Sequence, residues 1–169
     1  MTKVCVIMGS DSDLKIMQDS LKALEKFDIS SEVHISSAHR VPDETAQIAR
    51  DAATRGIEVI IAGAGMAAHL AGVIAAHTVL PVIAVPLSGS ALSGVDALYA
   101  MVQMPRGVPV ATVAVDGAFN AGVLAAQIIG VSDSTVRAKL EAYKDELAAQ
   151  VKLKNKKLQE VGYRRYLEG

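Results

Sequence analysis

The stretch "EVIIAGAGMAAHLAGVIAAH" (58–77) moves in twenty residues from a β-branched apolar run, through two glycines, into a helical pattern. A short, continuous apolar run fits a strand covered on both faces, and a turn followed by a helix makes half of a β–α–β crossover. Working outward, four more runs have the same character: "KVCVIM" (3–8), "SEVHIS" (31–36), "PVIAV" (81–85) and "PVATVAV" (109–115). With "EVIIAG" (58–63) they make five expected buried strands. Helical patterns fall between them. Leu14, Met17, Leu21 and Leu24 share one face of a helix over 13–27. Pro42, Asp43 and Glu44 open a second, where proline needs no N–H partner and acidic groups favour the dipole. That helix is expected over 43–55, with others over 67–78, 92–103 and 118–130.

Strand and helix in alternation imply right-handed crossovers and a parallel sheet between helical layers. The expected fold class is α/β, a flavodoxin-like or Rossmann-like three-layer αβα sandwich. The pattern does not order the strands. Beyond Gly130, Val136, Leu140, Tyr143, Leu147 and Val151 form an apolar stripe on an extra C-terminal helix over 133–158. That helix either covers its own domain or packs on a neighbouring subunit. The run "KLKNKK" (152–157) is a solvated face. The 169 residues make one domain, with a 1–130 core and a 131–169 helical extension.

Composition narrows the function. Hydrophobic residues are 51%, charged residues 21%, and the formal net charge is −1, so nothing global attracts nucleic acid or an acidic membrane. Aromatic residues are only 4%, which leaves few platforms for stacked bases or flavin rings. The one cysteine, Cys5, lies inside a strand and reads as a small buried hydrophobe; a reducing, cytoplasmic home is expected. No signal peptide is expected at the N-terminus. No apolar run reaches the ~18 residues of a membrane span.

In open parallel sheets, ligands bind outside the carboxyl ends of the strands. The segments there are "GSDSD" (9–13), "SAHR" (37–40), "GAGMAAH" (63–69) and "PLSGSALSG" (86–94), all small, polar or glycine-rich. Ser10, Ser12 and Asp13 stand at a helix entry, where free N–H groups suit a phosphate. Asp13 either accepts from sugar hydroxyls or serves as the N-cap. Arg40 offers a five-donor fork for phosphate or carboxylate. His39 beside it is a residue type that gives and takes protons near neutrality. His69 faces the same edge, whereas His34 lies in a strand and His77 near a helix end.

Competing motifs fail. Gly63-Ala-Gly65-Met-Ala-Ala68 matches GxGxxA, yet the region some twenty residues on reads "VIAVPL" without an acid. The glycines still allow close approach of a ligand. No HxxxH or CxxC suggests a metal, "LSGSALSG" is not a nucleophile elbow, and Gly63 stands where a receiver domain needs aspartate.

"MGSDSD", "SAHRVP", "GAGMAAHLAGVIAAHT", "SALSGVD" and "VQMPRGVPVATVAV" together resemble the bacterial PurE family of purine biosynthesis, the class I N(5)-carboxyaminoimidazole ribonucleotide mutases. The likeness runs from residue 3 to about 130. It implies a flavodoxin-like fold, a homo-octamer with sites between subunits, and a cofactor-free transfer of carboxylate from an exocyclic nitrogen to ring carbon 4. It further implies a metabolic link to the ATP-dependent synthase of the carbamate. By the same resemblance His39 is the general acid/base, Arg40 and the serines lie near the phosphate, and Asp13 lies near the ribose. The glycine loop with His69 would hold freed CO2. The candidate substrate-binding set is Gly9, Ser10, Ser12, Asp13, Ser37, Ala38, Arg40, Gly63, Ala64, Gly65, Met66, His69 and Leu70. "SAHR" followed by "GAGMAAHL" resembles the mutase branch; the branch that carboxylates aminoimidazole ribonucleotide directly typically reads "SAHK". Two departures stand out. Met66 replaces a common glycine, and "VAVDGAFNAG" (113–122) is about two residues shorter than the usual "GKAGA"-type segment and lacks its lysine.

Overall fold

The computed structural model describes residues 3–168. Its sheet contains β1 (Val4–Met8), β2 (Ser31–Ile35), β3 (Val59–Gly65), β4 (Val82–Leu87) and β5 (Ala111–Thr112), in the order β2-β1-β3-β4-β5. All pairings are parallel. This is the flavodoxin-like order, and it settles what periodicity left open. Six α-helices follow in sequence: α1 (Leu14–Lys26), α2 (Pro42–Asp51), α3 (Leu70–Ala76), α4 (Val95–Val102), α5 (Ala118–Gly130) and α6 (Ser134–Leu167).

Alternation along β1 divides the core. Val4, Val6 and Met8 join the apolar cluster under α1 and α5, with α6 outside them; Cys5 and Ile7 join the cluster under α2, α3 and α4. No side chain of β1 has exposed surface. That is the signature of a parallel strand covered on both faces. The expectation of continuous burial fails for β2, which has a single strand neighbour. Its Val33 and Ile35 are exposed, as an edge strand allows.

Several boundaries move for local reasons. β3 runs two residues past Gly63 because Ala64 and Gly65 pair with Pro86 and Leu87 of β4. α3 accordingly starts at Leu70 and not at 67. The α2 region tightens into a 3-10 turn over Ala53–Arg55, and Gly56 at φ 86° ends it. α4 waits for Gly94, whose φ is 83°. β5 shrinks from the expected 109–115 to two paired residues. Pro109 has no N–H to give, while Val113 and Asp116 still donate their N–H groups to the Ala84 and Pro86 carbonyls at 3.0 and 2.8 Å.

α6 is longer than expected and only its first turns are used within the chain. The Asp133 carboxylate accepts the N–H groups of Thr135 and Val136 at 3.0 and 3.2 Å, a regular N-cap. Lys3 Nζ donates to the same carboxylate at 3.0 Å, which holds Asp133 below the usual carboxylate range and ties the cap to the start of the sheet. Val136 and Leu140 are buried, and Tyr143 meets the Phe27 ring edge-on at 5.6 Å. From Glu146 to Lys157 every residue is exposed, including Leu147 and Val151 of the predicted stripe. Gly162, at φ 76° and ψ 157°, interrupts the last turns.

α1 and α5 pack closely at Gly122. A Cβ on Gly122 would lie 2.6 Å from both Ala23 Cβ and the Ser20 carbonyl oxygen. Backbone cannot yield as a side-chain end does. Gly122→Ala is therefore expected to lower stability by about 1–3 kcal/mol, read from urea unfolding. An unchanged midpoint would show that the two helices separate freely.

Candidate active site

The carboxyl ends of β1, β2, β3 and β4 open onto one cavity of about 700 Å³. It lies beside the β1–β3 pairing, where chain order reverses and where open α/β sheets place their ligands. Each bend is fixed by bonds that the sequence encodes locally. After β1, the Ser10 Oγ accepts the Ser12 N–H at 3.4 Å, and Asp13 Oδ2 accepts the Ser10 N–H at 3.0 Å. The two form a reciprocal capping box over the Asp11–Asp13 turn that leads into α1. Asp13 is thus not itself a capping acceptor for α1: it closes the box on Ser10. Burial pushes its carboxyl above the ordinary range, against the lowering effect of the Ser10 and Ser12 bonds.

After β2, Ser36 and Thr45 are buried and share a 2.7 Å hydroxyl hydrogen bond, and the Ser36 N–H reaches the Met8 carbonyl at 2.8 Å. These bonds hold the "SAHR" bend against β1 and α2. Within the bend, Arg40 and Val41 donate their N–H groups to the Ser37 carbonyl. Arg40 Nη2 donates to the Gly9 carbonyl at 3.1 Å, so the guanidinium bridges the two bends. His39 Nε2 lies 2.9 Å from His69 Nδ1, with the rings edge-on. One imidazole must donate and the other accept. Two strands 30 residues apart in sequence thereby put a linked pair of proton carriers in the cavity.

Gly9, Ser10, Ser12, Asp13, Ser37, Ala38, His39, Arg40, Ala64, Gly65, Met66, His69 and Leu70 all line the cavity, as the sequence suggests. Gly63 does not. A Cβ there would meet Met17 Sδ at 2.3 Å, so this glycine makes room for α1 against β3. Gly65 does line the cavity, and its hydrogen faces the Leu87 carbonyl of β4. Ile16, Ala67, Leu87 and Gly89 also line it, beyond the residues the sequence suggests. Ile16 was legible as the residue one turn past Asp13. Leu87 ends β4 and Gly89 lies in the loop after it, and neither has a polar side chain to single it out.

The 113–122 segment sits behind that loop. The Asp116 carboxylate accepts the Ser88 N–H at 2.9 Å, and Val115 packs so closely on Gly94 that a Cβ would meet it at 2.6 Å. Ser90 donates to the Asp96 carboxylate at about 3 Å. The loop after β4 is thus held from both sides.

A separate cluster appears away from the cavity. Cys5, Glu32 and His34 bring potential ligand atoms within 4.8 Å of one another across β1 and β2. No sequence spacing signals this, because the strands supply it. Glu32 Oε1 already accepts from Arg55 at 2.8 Å and lies 3.2 Å from His34 Nε2, and burial beside Glu32 pushes the Cys5 thiol far up. The arrangement is that of a protonated thiol and a hydrogen-bonded ion pair.

Residues 3–150 match the family model described as AIR carboxylase. The chain belongs to that family. It is 51% identical over 167 residues to the N5-carboxyaminoimidazole ribonucleotide mutase of Thermotoga maritima, covering 99% of this chain and 98% of that one. It is 52% identical over 169 residues to the protein of the same name from Pyrococcus abyssi, covering 100% and 97%. A crystal structure of Treponema denticola PurE superposes with a TM-score of 0.85 at 26% identity, over 94% of this chain and 99% of that one. A relative in Pyrococcus widens the likeness beyond the bacterial members.

Because the Asp13 pKa is raised, its contribution to stability is greatest below the ordinary carboxylate range and declines as pH rises through the raised value. Asp13→Asn keeps an oxygen for the Ser10 N–H and should flatten that slope. Asp13→Ala removes the box and should cost about 1 kcal/mol. Thermal unfolding between pH 3 and 7 distinguishes them; parallel slopes for wild type and Asp13→Asn would remove Asp13 from the pH response.

Proposed function

We propose that this chain is an N5-carboxyaminoimidazole ribonucleotide mutase of purine biosynthesis, an isomerase that moves the substrate's carboxylate from the exocyclic nitrogen to ring carbon 4. The observation that carries the reading is the His39–His69 contact of 2.9 Å inside the cavity at the strand ends. The family relatives named as mutases supply the substrate class.

The reaction asks for one proton in and one proton out. When the nitrogen–carboxyl bond breaks, CO2 leaves and the nitrogen keeps the electron pair, which His39 protonates. Carbon 4 then attacks CO2, and His39 removes the proton that carbon 4 carried. The balance closes with no external acid, oxidant or reductant. His69 holds the other side of the pair, and the proton taken from carbon 4 restores the one that His39 gave to the nitrogen. Such proton transfer is typically worth about a hundred- to ten-thousand-fold. In this reading the phosphate is held by Arg40, whose Nη2 is bonded to the Gly9 carbonyl, and by N–H groups at the start of α1. In the same reading Asp13 takes the ribose. Ligand arrival there competes with its bond to Ser10, so the capping box rearranges or is shared on binding.

The same reading makes the protein a cytoplasmic homo-oligomer, an octamer in this family's pattern, fed by the ATP-dependent synthase that makes the carbamate. No helix among the described residues is long and apolar enough to cross a membrane. Leu92 before α4 and Val95, Tyr99 and Val102 along it are exposed, and residues 146–157 of α6 are exposed throughout. Apolar surface of this kind is what subunit contacts cover. Light scattering should return a mass several times the 17.7 kDa of one chain; a value at one chain would contradict assembly.

With the N-carboxylated ribonucleotide, and with ATP and bicarbonate absent, ultraviolet absorbance should report prompt formation of the carbon-carboxylated product. His39→Asn should lose at least about a hundredfold in rate while binding the substrate nearly as well. Equal rates in the two proteins would remove His39 from the chemistry. Turnover only of aminoimidazole ribonucleotide with high bicarbonate would mean a direct carboxylase.

A further inference from the structure

Among the described residues, four that carry a Cβ have a positive φ: Asp28, Met66, Ser93 and Asp116. Asp116, at 56°, stands third in a four-residue turn that the Gly117 N–H closes on the Ala114 carbonyl at 2.9 Å. A turn with positive φ at its third place favours glycine there. An aspartate is strained in that place unless the surroundings make use of its side chain. Here both ends of the residue are used. The Asp116 N–H donates to the Pro86 carbonyl at 2.8 Å, and its carboxylate accepts the Ser88 N–H at 2.9 Å. Pro86 lies in β4 and Ser88 follows the last residue of that strand, so they offer the acceptor and the donor that a longer β5 would have met. β5 stops at Thr112. Asp116 takes over from it with one main-chain bond and one side-chain bond, to a residue 28 positions away.

Ser88 sits between two residues of the cavity wall, Leu87 and Gly89. Leu87 is fixed from two directions, since a Cβ on Gly65 or on Gly94 would lie 3.3 Å from its carbonyl oxygen. Gly89 has no such support: no heavy atom comes within 4 Å of the place its Cβ would take. Its position is set through its chain neighbours, by Asp116 on the Ser88 N–H and by Asp96 on the Ser90 hydroxyl. We propose that Asp116 is a positioning residue for substrate binding, whose carboxylate fixes the Leu87–Gly89 wall of the cavity through the Ser88 N–H. This rests on the mutase reading and deepens it. Asp116 does not itself line the cavity, so its effect reaches the ribonucleotide through that wall. A wall already in place spares the ligand the ordering that binding would otherwise require. Substrate and transition state fit against it alike, so loosening it weakens binding and leaves the proton transfer at His39 unchanged.

The experiment separates the turn from the carboxylate. Wild type, Asp116→Gly and Asp116→Asn are compared in the conversion of the N-carboxylated ribonucleotide, and mass spectrometry follows their hydrogen–deuterium exchange over residues 87–92. Glycine suits the positive φ and keeps the turn but offers Ser88 no acceptor. Asparagine tolerates the same φ and keeps a side-chain oxygen for the Ser88 N–H. Asp116→Gly is expected to raise KM about fivefold, the effect of one hydrogen bond, with faster exchange over 87–92. Asp116→Asn is expected to restore most of both differences. KM belongs to the molecules that stay folded, so partial unfolding of a variant does not imitate this result. With wild type converting substrate, an unchanged KM in Asp116→Gly would overturn the positioning role and leave the mutase standing. An equal rise in both variants, or a rise without faster exchange, would do the same. Absence of conversion by wild type would overturn both.

Discussion

Everything at the site hangs from the pairing of β1 with β3. Five residues of β1 are closed off on both faces, and their backbone is bonded on both sides, to β2 and to β3. That pairing sends one bend into α1 on one face of the sheet and another into α3 on the opposite face. The cavity is the gap between those departures. β2 then adds the His39–Arg40 bend beside β1, and β4 adds the loop that ends at Gly94. A register slip of one residue in β1 would turn Cys5 and Ile7 to the wrong face and move all these bends relative to one another. The chemistry therefore depends on a strand that contributes no polar side chain to it.

Strand existence, helix alternation and the polar bends could be read from the residues because they rest on short-range preferences: β-branched runs, proline at the start of α2, small residues at exits. Strand order could not, since which strands pair depends on contacts far apart in sequence. Nor could the ends of β3 and β5 be read. Ala64 and Gly65 look like loop residues, and only their pairing with Pro86 and Leu87 keeps them in the sheet. At the other end, Pro109 and the outer position of β5 leave a seven-residue apolar run with two paired residues. Residue type reports what a segment prefers. Pairing reports what its neighbours permit.

The site shows the same division. His39, Arg40, Ser10 and Asp13 stood out by chemistry, and all four reach the cavity. Gly63 stood out by motif, and its hydrogen instead makes room for Met17. Ser36 and Thr45, which hold the histidine bend in place, gave no signal, because a buried hydroxyl pair joining a strand end to a helix has no spacing rule. Met66 was visible as a departure from a familiar pattern, but the positive φ that makes it unusual belongs to the backbone. The cysteine was legible as a buried hydrophobe; its partner Glu32 was not, being a neighbour only across two strands.

That cysteine has a further consequence. Every molecule carries one thiol, and it sits with no exposed surface in the strand on which the rest depends. A thiol reagent reaches it only when β1 itself opens, so labelling keeps time with the rarest, most global fluctuation and ignores fraying of α6 or of the loops. The protein thus contains its own reporter for opening of the sheet, independent of ligand, spectrum or turnover. Binding that stabilises the closed fold would slow that reaction even where it leaves no trace on the exposed surface.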